Sequence, residues 1–108
     1  MPDSILERIP VVAGLGYIER VRRVPSSFTA VLEAEPDNRY FRHAIMVMSG
    51  GEKVGYVAPE IARGYYGGVR GSSAPVTCPC RRATHTDHAT SGVELLLDFR
   101  GLSVQPLV

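Results

Sequence analysis

The chain has 108 residues, a formal net charge of +1, 44% hydrophobic and 21% charged residues, and no tryptophan. That length fits one domain able to bury a core of its own, and the ordinary apolar fraction excludes wholesale disorder. It contains neither the ~18-residue apolar run of a membrane span nor a GxxxxGK(S/T) phosphate loop, which points to a binding module rather than a self-contained ATPase or kinase.

At the start of the chain, Asp3, Glu7 and Arg8 stand where a secretory leader is apolar, so a cytoplasmic location is expected. Ile9 to Ile18 is apolar with small breaks and predicts a first strand. Phe28, Ala30, Leu32 and Ala34 alternate with Thr29, Val31, Glu33 and Glu35, the period of a strand that becomes more exposed toward its end. Pro36 ends it, and Glu35-Pro36-Asp37-Asn38 is turn chemistry. His43 to Met48 reads as a buried strand. The turn Ser49-Gly50-Gly51-Glu52 then leads into Lys53 to Val57, a hairpin signal because paired glycines accept the positive φ of primed turns.

Ala58 to Arg63 opens a helix with Pro59 and Glu60 in its first turn, and Gly64, Gly67 and Gly68 are expected to stop it after about two turns. Ala74 to Arg82 and Gly92 to Phe99 predict two more strands, with Pro79 placing the first at an edge or a bulge. The tail from Gly101 carries no signal. About six short strands and one short helix after the Gly55-Tyr56 hairpin predict a mainly β fold, a small OB-like or SH3-like barrel, because closure removes open edges. One domain over residues 1–108, with its core at about 9–100, is expected.

Eleven of the twelve basic residues are arginine, and Lys53 is the only lysine. Arg20, Arg22 and Arg23 sit together, Arg63, Arg70, Arg81 and Arg82 fall in an acid-free stretch, and acid gathers at Glu33, Glu35 and Asp37. A local basic face is therefore compatible with a total of +1. Cys78 and Cys80, two residues apart, build no disulfide framework and agree with a reducing compartment. With His85 and His88 they raise a zinc alternative, but one residue between the cysteines is shorter than structural sites use, so small strand residues and a polar loop are the better reading. No cofactor is expected, and no nucleophile–base spacing carries a catalytic mechanism.

Three blocks, VVAGLGY from Val11 to Tyr17, LEAEPDNRYFRHAI from Leu32 to Ile45, and GEKVGYVAPEIA from Gly51 to Ala62, resemble the HIRAN domain family in order and spacing over about half the chain. The resemblance implies an OB-like barrel that stands alone in bacteria and is fused to helicase-type remodelling enzymes in eukaryotes. It implies recognition of nucleic acid, with single-stranded ends and damaged or stalled DNA as targets. The loop matching Asn38 to Phe41 would form a pocket with the first strand and the Gly55-Tyr56 hairpin, where an aromatic stacks on a base and an acid accepts a bond from the terminal sugar hydroxyl. Here Arg39 replaces the family proline, Phe41 the aspartate and His43 an asparagine, while Gly16 and Pro59 stand where eukaryotic members carry basic residues. Phe41 removes the hydroxyl acceptor, which leaves looser stacking on single strands.

The expected site is Tyr17, Tyr40 and Tyr56 as a stacking platform, Arg39 and Arg42 on phosphate, and Asn38 shaping the loop, with Gly55 allowing close backbone approach. The tyrosines can equally fill the barrel mouth, the arginines can be plain solvated charges, and His43 can be a packed or exposed residue. The expected partner is single-stranded or end-bearing DNA, bound weakly and salt-sensitively in repair or processing, beside a separate helicase or nuclease. The competing reading is a protein-interaction module that takes a peptide in the same groove or on an edge strand.

Overall fold

Ile9, Pro10, Val11 and Val12 form a four-residue strand, β1 (Ile9–Val12), that closes the fold by pairing on both sides. The structure, a computed structural model, describes residues 6–84 and 93–104. A 3-10 turn (Gly14–Tyr17) and a short helix α1 (Ile18–Arg23) follow β1. Next come β2 (Ser27–Ala34), β3 (Ile45–Ser49), β4 (Glu52–Val57) and a longer helix α2 (Pro59–Gly71). The strands β5 (Val76–Thr84) and β6 (Val93–Leu97) and a second 3-10 turn (Phe99–Gly101) complete the order. The six strands pair antiparallel as β1-β4-β3-β2-β5-β6, a closed barrel with one main helix. Ile9, Leu32, Ile45, Val47 and Leu97 fill it, each almost fully buried. No helix among the described residues is long and apolar enough to cross a membrane.

Two predicted elements differ in extent. The first strand ends at Val12 rather than Ile18, because Ala13 turns into the left-handed region at φ 64° and sends the chain into the 3-10 turn and α1. Within and just after α1, Val21 and Val24 are buried in the core, a small apolar face hidden in an arginine-rich run. The main helix has 13 residues and continues through Gly64, Gly67 and Gly68. Its buried residues Ala62, Tyr66 and Val69 follow helical spacing onto the core. This packing outweighs glycine's propensity penalty of about 1 kcal/mol per residue.

Pro79 sits at a local edge, as expected: β5 pairs with β2 from Val76 to Arg81, whereas its ladder with β6 begins only at Cys80. In an antiparallel ladder a residue turns its N–H and C=O toward the same neighbour. The Pro79 carbonyl accepts from the Asp98 amide at 2.9 Å, so the missing N–H faces the chain just past the end of β6. The tail that carried no sequence signal completes this side: the Thr77 amide donates to Ser103 Oγ at 2.9 Å, and the Thr77 carbonyl accepts from the Ser103 amide at 3.1 Å.

The hairpin turn forms as predicted, with Gly50 at φ 56° and Gly51 at φ 84°. Beyond it β4 carries a bulge: Val47 opposes Gly55 and Met48 opposes Lys53, leaving Val54 as an extra residue. Val54 and Val57, three apart, therefore both face the core, and Lys53 and Tyr56 share the other side. Gly55 adopts φ 154°, and a Cβ there would lie 2.5 Å from Val11 Cγ1 and 2.7 Å from the Val12 carbonyl oxygen. Substitution Gly55→Ala should cost about 2–3 kcal/mol through backbone strain and collision with β1. Gly64→Ala, with nothing within 4 Å of its Cβ position in α2, should instead stabilise by up to about 1 kcal/mol. Urea-unfolding midpoints of the two variants should move in opposite directions.

Candidate nucleic-acid interface

The chain between β2 and β3 forms a loop from Glu35 to Ala44, closed at its base by the Glu35 amide donating to the Ala44 carbonyl at 2.9 Å. Asn38 gives the loop its shape. Its Oδ1 accepts from the amides of Tyr40 and Phe41, both at 2.8 Å, and its Nδ2 donates to Glu35 Oε1 at 2.8 Å. The Asn38 amide also donates to the Glu35 carbonyl at 3.2 Å. An asparagine in a turn can answer several backbone donors at once, and this one ties the tip of the loop to its base.

Glu35 connects the loop to the barrel. Its Oε1 also receives the Tyr56 hydroxyl at 2.6 Å, and its Oε2 receives Lys53 Nζ at 2.9 Å. Lys53 donates a second bond to the Tyr56 oxygen at 2.9 Å. Both charged side chains are only 22% exposed. The bonds from Tyr56 and Asn38, followed by Lys53, hold the Glu35 carboxyl down at about 2 against the opposing effect of burial. Lys53 is raised above its ordinary value by the Tyr56 oxygen and by Glu35. Burial, followed by the hydrogen bond to Glu35, raises the Tyr56 hydroxyl, with Lys53 opposing.

This network presents Tyr40 to solvent as a residue 87% exposed, the one exposed large apolar residue among the described residues. Tyr17, Asn38, Arg39, Tyr40 and Tyr56 line a hollow of about 640 Å³. Arg42 does not join them; it lines a neighbouring hollow of about 330 Å³ with His43 and Arg63. Tyr40, Phe41 and Tyr56 border both hollows, and the Phe41 and Tyr56 rings meet edge to face at 6.3 Å. The three tyrosines are not equivalent. The Arg20 guanidinium lies 5.5 Å from the Tyr17 ring centre, Lys53 lies 4.9 Å from that of Tyr56, and the Tyr56 hydroxyl is bonded at both its donor and acceptor sides.

Glu35, Lys53 and Arg63 were not among the expected site residues. A lone lysine in an arginine-rich chain is the signal for Lys53, but its pairing with Tyr56 three residues on is hidden, because a regular strand sends residues at that spacing to opposite faces. The arginines also divide by task. Arg82 donates to the Arg22 and Val24 carbonyls at 3.1 and 2.9 Å, closing the C-terminal end of α1, and Arg20 donates to the Lys53 carbonyl at 2.9 Å. Arg39, Arg42 and Arg63 are exposed and make no hydrogen bond or ion pair among the described residues.

Cys78 and Cys80 face the barrel interior, with Cys78 Sγ donating to the Asp98 carbonyl at 3.3 Å. Burial pushes both thiols up to about 12, which disfavours the thiolate that a metal or redox role needs. His85 and His88 lie outside the described residues; among those described, no group of three or more His, Cys, Asp or Glu residues is placed to hold a metal ion. Comparisons of the chain with protein-family models, curated proteins and solved structures find no match.

The network makes a pH prediction. Glu35 titrates lower in the fold than its ordinary 4.5, so its contribution is complete above pH 4.5 and is lost as pH falls toward 2. Lys53 and Tyr56 titrate higher in the fold, so theirs are complete below their ordinary 10.5 and 10.0 and are lost as pH rises through the raised values. Glu35→Gln should therefore shrink the fall in urea-unfolding midpoint between pH 7 and pH 3. An unchanged fall would remove Glu35 from the acid-sensitive set.

Proposed function

We propose that this barrel is a non-catalytic module that binds single-stranded nucleic acid, strand ends included, across the Tyr40 loop, in DNA repair or processing beside a separate helicase or nuclease. The observation that carries this reading is an exposed aromatic ring on a loop whose shape is set beforehand by the Asn38, Glu35, Lys53 and Tyr56 bonds, with unpaired arginines beside it. A loop whose backbone is already held has less freedom to lose on binding. Every base has a π-face, so such a ring takes bases with little regard to sequence.

Tyr40 does the stacking in this reading, and Tyr17 borders the hollow with two cations, Arg20 and Lys53, already beside its ring. Tyr56 acts through the loop, since its hydroxyl is committed to Glu35 and Lys53. Arg39 and Arg42 engage phosphates on either side of the ring. The resemblance to the HIRAN family supports the same surface, with Phe41 supplying a wall where the family has an acceptor. Peptide addition to an edge strand has less support, because each of the six strands already has a neighbour on both sides.

Fluorescence anisotropy with single-stranded and duplex oligonucleotides at two salt concentrations tests the proposal. Single strands should bind in the micromolar range, with log affinity against log salt falling at a slope of about −2 for roughly three neutralised phosphates. Tyr40→Ala should weaken binding by about tenfold, as expected for one lost stacking contact. Absence of binding at low salt, or a Tyr40→Ala variant that binds as well as the parent, would overturn it.

A further inference from the structure

The smaller hollow, of about 330 Å³, lies against the Phe41 and Tyr56 rings between the loop and the start of α2. Its walls are apolar at Val57, Pro59 and Ala62, and Arg42 and Arg63 stand at its margin. Arg42 comes from the loop and Arg63 from the second turn of α2, so two separate elements each bring an arginine to one space. Neither arginine makes a hydrogen bond or ion pair among the described residues. Among the described residues Arg63 pairs with no carboxylate within 4.0 Å, although Glu60 lies three residues before it in the helix and lines the same hollow.

We infer that this hollow is a pocket for a terminal phosphomonoester on a nucleotide. The inference rests on the proposed binding of single strands and specifies which strand the site selects. A terminal phosphate carries ≈ −1.5 to −2 charge at pH 7 and offers three acceptor oxygens, whereas an internal phosphodiester carries a single charge. Two arginines lining one small space match the former, because each guanidinium can present a fork of N–H donors to a different pair of oxygens. Ligand pockets begin at about 300 Å³, so the space suits one nucleotide rather than a length of strand. The aromatic wall of Phe41 and Tyr56 receives the sugar and base, and Tyr40 at the shared border stacks the next base in the larger hollow. Glu60 is the one carboxylate lining the hollow and two arginines outnumber it, while Phe41 in place of an acid keeps a second carboxylate away from a dianionic end.

The terminal phosphate can belong to a strand end or to a free mononucleotide, and the test separates the two. Anisotropy would be measured with a 3′-labelled oligonucleotide bearing a 5′-hydroxyl or a 5′-phosphate, and with a 5′-labelled one bearing a 3′-hydroxyl or a 3′-phosphate. One phosphorylated end should bind about tenfold more tightly than its hydroxyl counterpart, the scale of one net charge-assisted hydrogen bond. The preference should vanish in the double variant Arg42→Ala/Arg63→Ala, whatever happens to absolute affinity. Thymidine monophosphate that displaces the phosphorylated strand supports the free nucleotide as a ligand; thymidine monophosphate that fails to do so, with the end preference intact, supports the strand end. Equal binding of hydroxyl and phosphate ends overturns this inference and leaves single-strand binding standing. A phosphate preference that survives in the double variant overturns the placement. Failure of every oligonucleotide to bind overturns both.

Discussion

Val54 has no partner in the ladder between β3 and β4, and at that point the side-chain alternation of β4 reverses. An unbulged strand would have sent either Lys53 or Tyr56 into the apolar core. A buried ammonium there is costly without a partner, and a buried phenol needs a hydrogen bond. With the bulge, both reach Glu35 from the same side, and Glu35 in turn holds Asn38. The position of Tyr40 thus depends on a strand irregularity on the far side of β3. Gly55 makes the irregularity compatible with closure, because β1 passes directly over it.

The hydrogen-bond chain from Lys53 to the Tyr40 amide contains no free rotor of consequence. The carboxylate oxygens and both polar groups of Asn38 are engaged, and no buried side-chain polar atom among the described residues lacks a partner. Fully satisfied polar networks in partly buried surroundings are stiff, since moving one member leaves the others unpaired. The loop therefore differs from an ordinary surface connection, whose backbone groups are held by water. A net charge of +1 hides the same division of labour: Arg20, Arg82 and Arg100 are tied to carbonyls or carboxylates, whereas Arg39, Arg42 and Arg63 remain free of such bonds beside the ring.

Strand periodicity and the glycine-rich turn made β2 and the β3–β4 hairpin readable before any coordinates, because alternation and positive φ are properties of neighbouring residues. The extent of α2 was not readable, since Gly64, Gly67 and Gly68 in its interior argue locally for a stop and only contact of Ala62, Tyr66 and Val69 with the barrel argues for continuation. The end of β1 was hidden for a similar reason: an alanine at φ 64° leaves no mark in composition. At the site, Asn38 and Tyr40 were legible from turn chemistry and from the family-like block. Glu35, just past the end of β2, and Lys53 in β4 lie 18 residues apart, and their meeting depends on the bulge, which no spacing rule in a regular strand anticipates. Pro79 was legible as an edge residue, because its missing N–H needs a side without a ladder partner, and the β5–β6 ladder stops at Cys80.

The segment after β6 has a consequence for how the molecule behaves in a crowd. Where β6 stops, Thr77 and Pro79 would otherwise turn bare polar backbone to water along half of β5. The Asp98 and Ser103 amides and the Ser103 hydroxyl occupy those positions, and Gly101 lets the segment lie close enough, since a Cβ there would meet the Pro79 ring at 2.7 Å. A barrel opened at this seam would carry a sticky template for strand exchange between copies. Residues 98–103 therefore keep the protein a poor seed for its own aggregation.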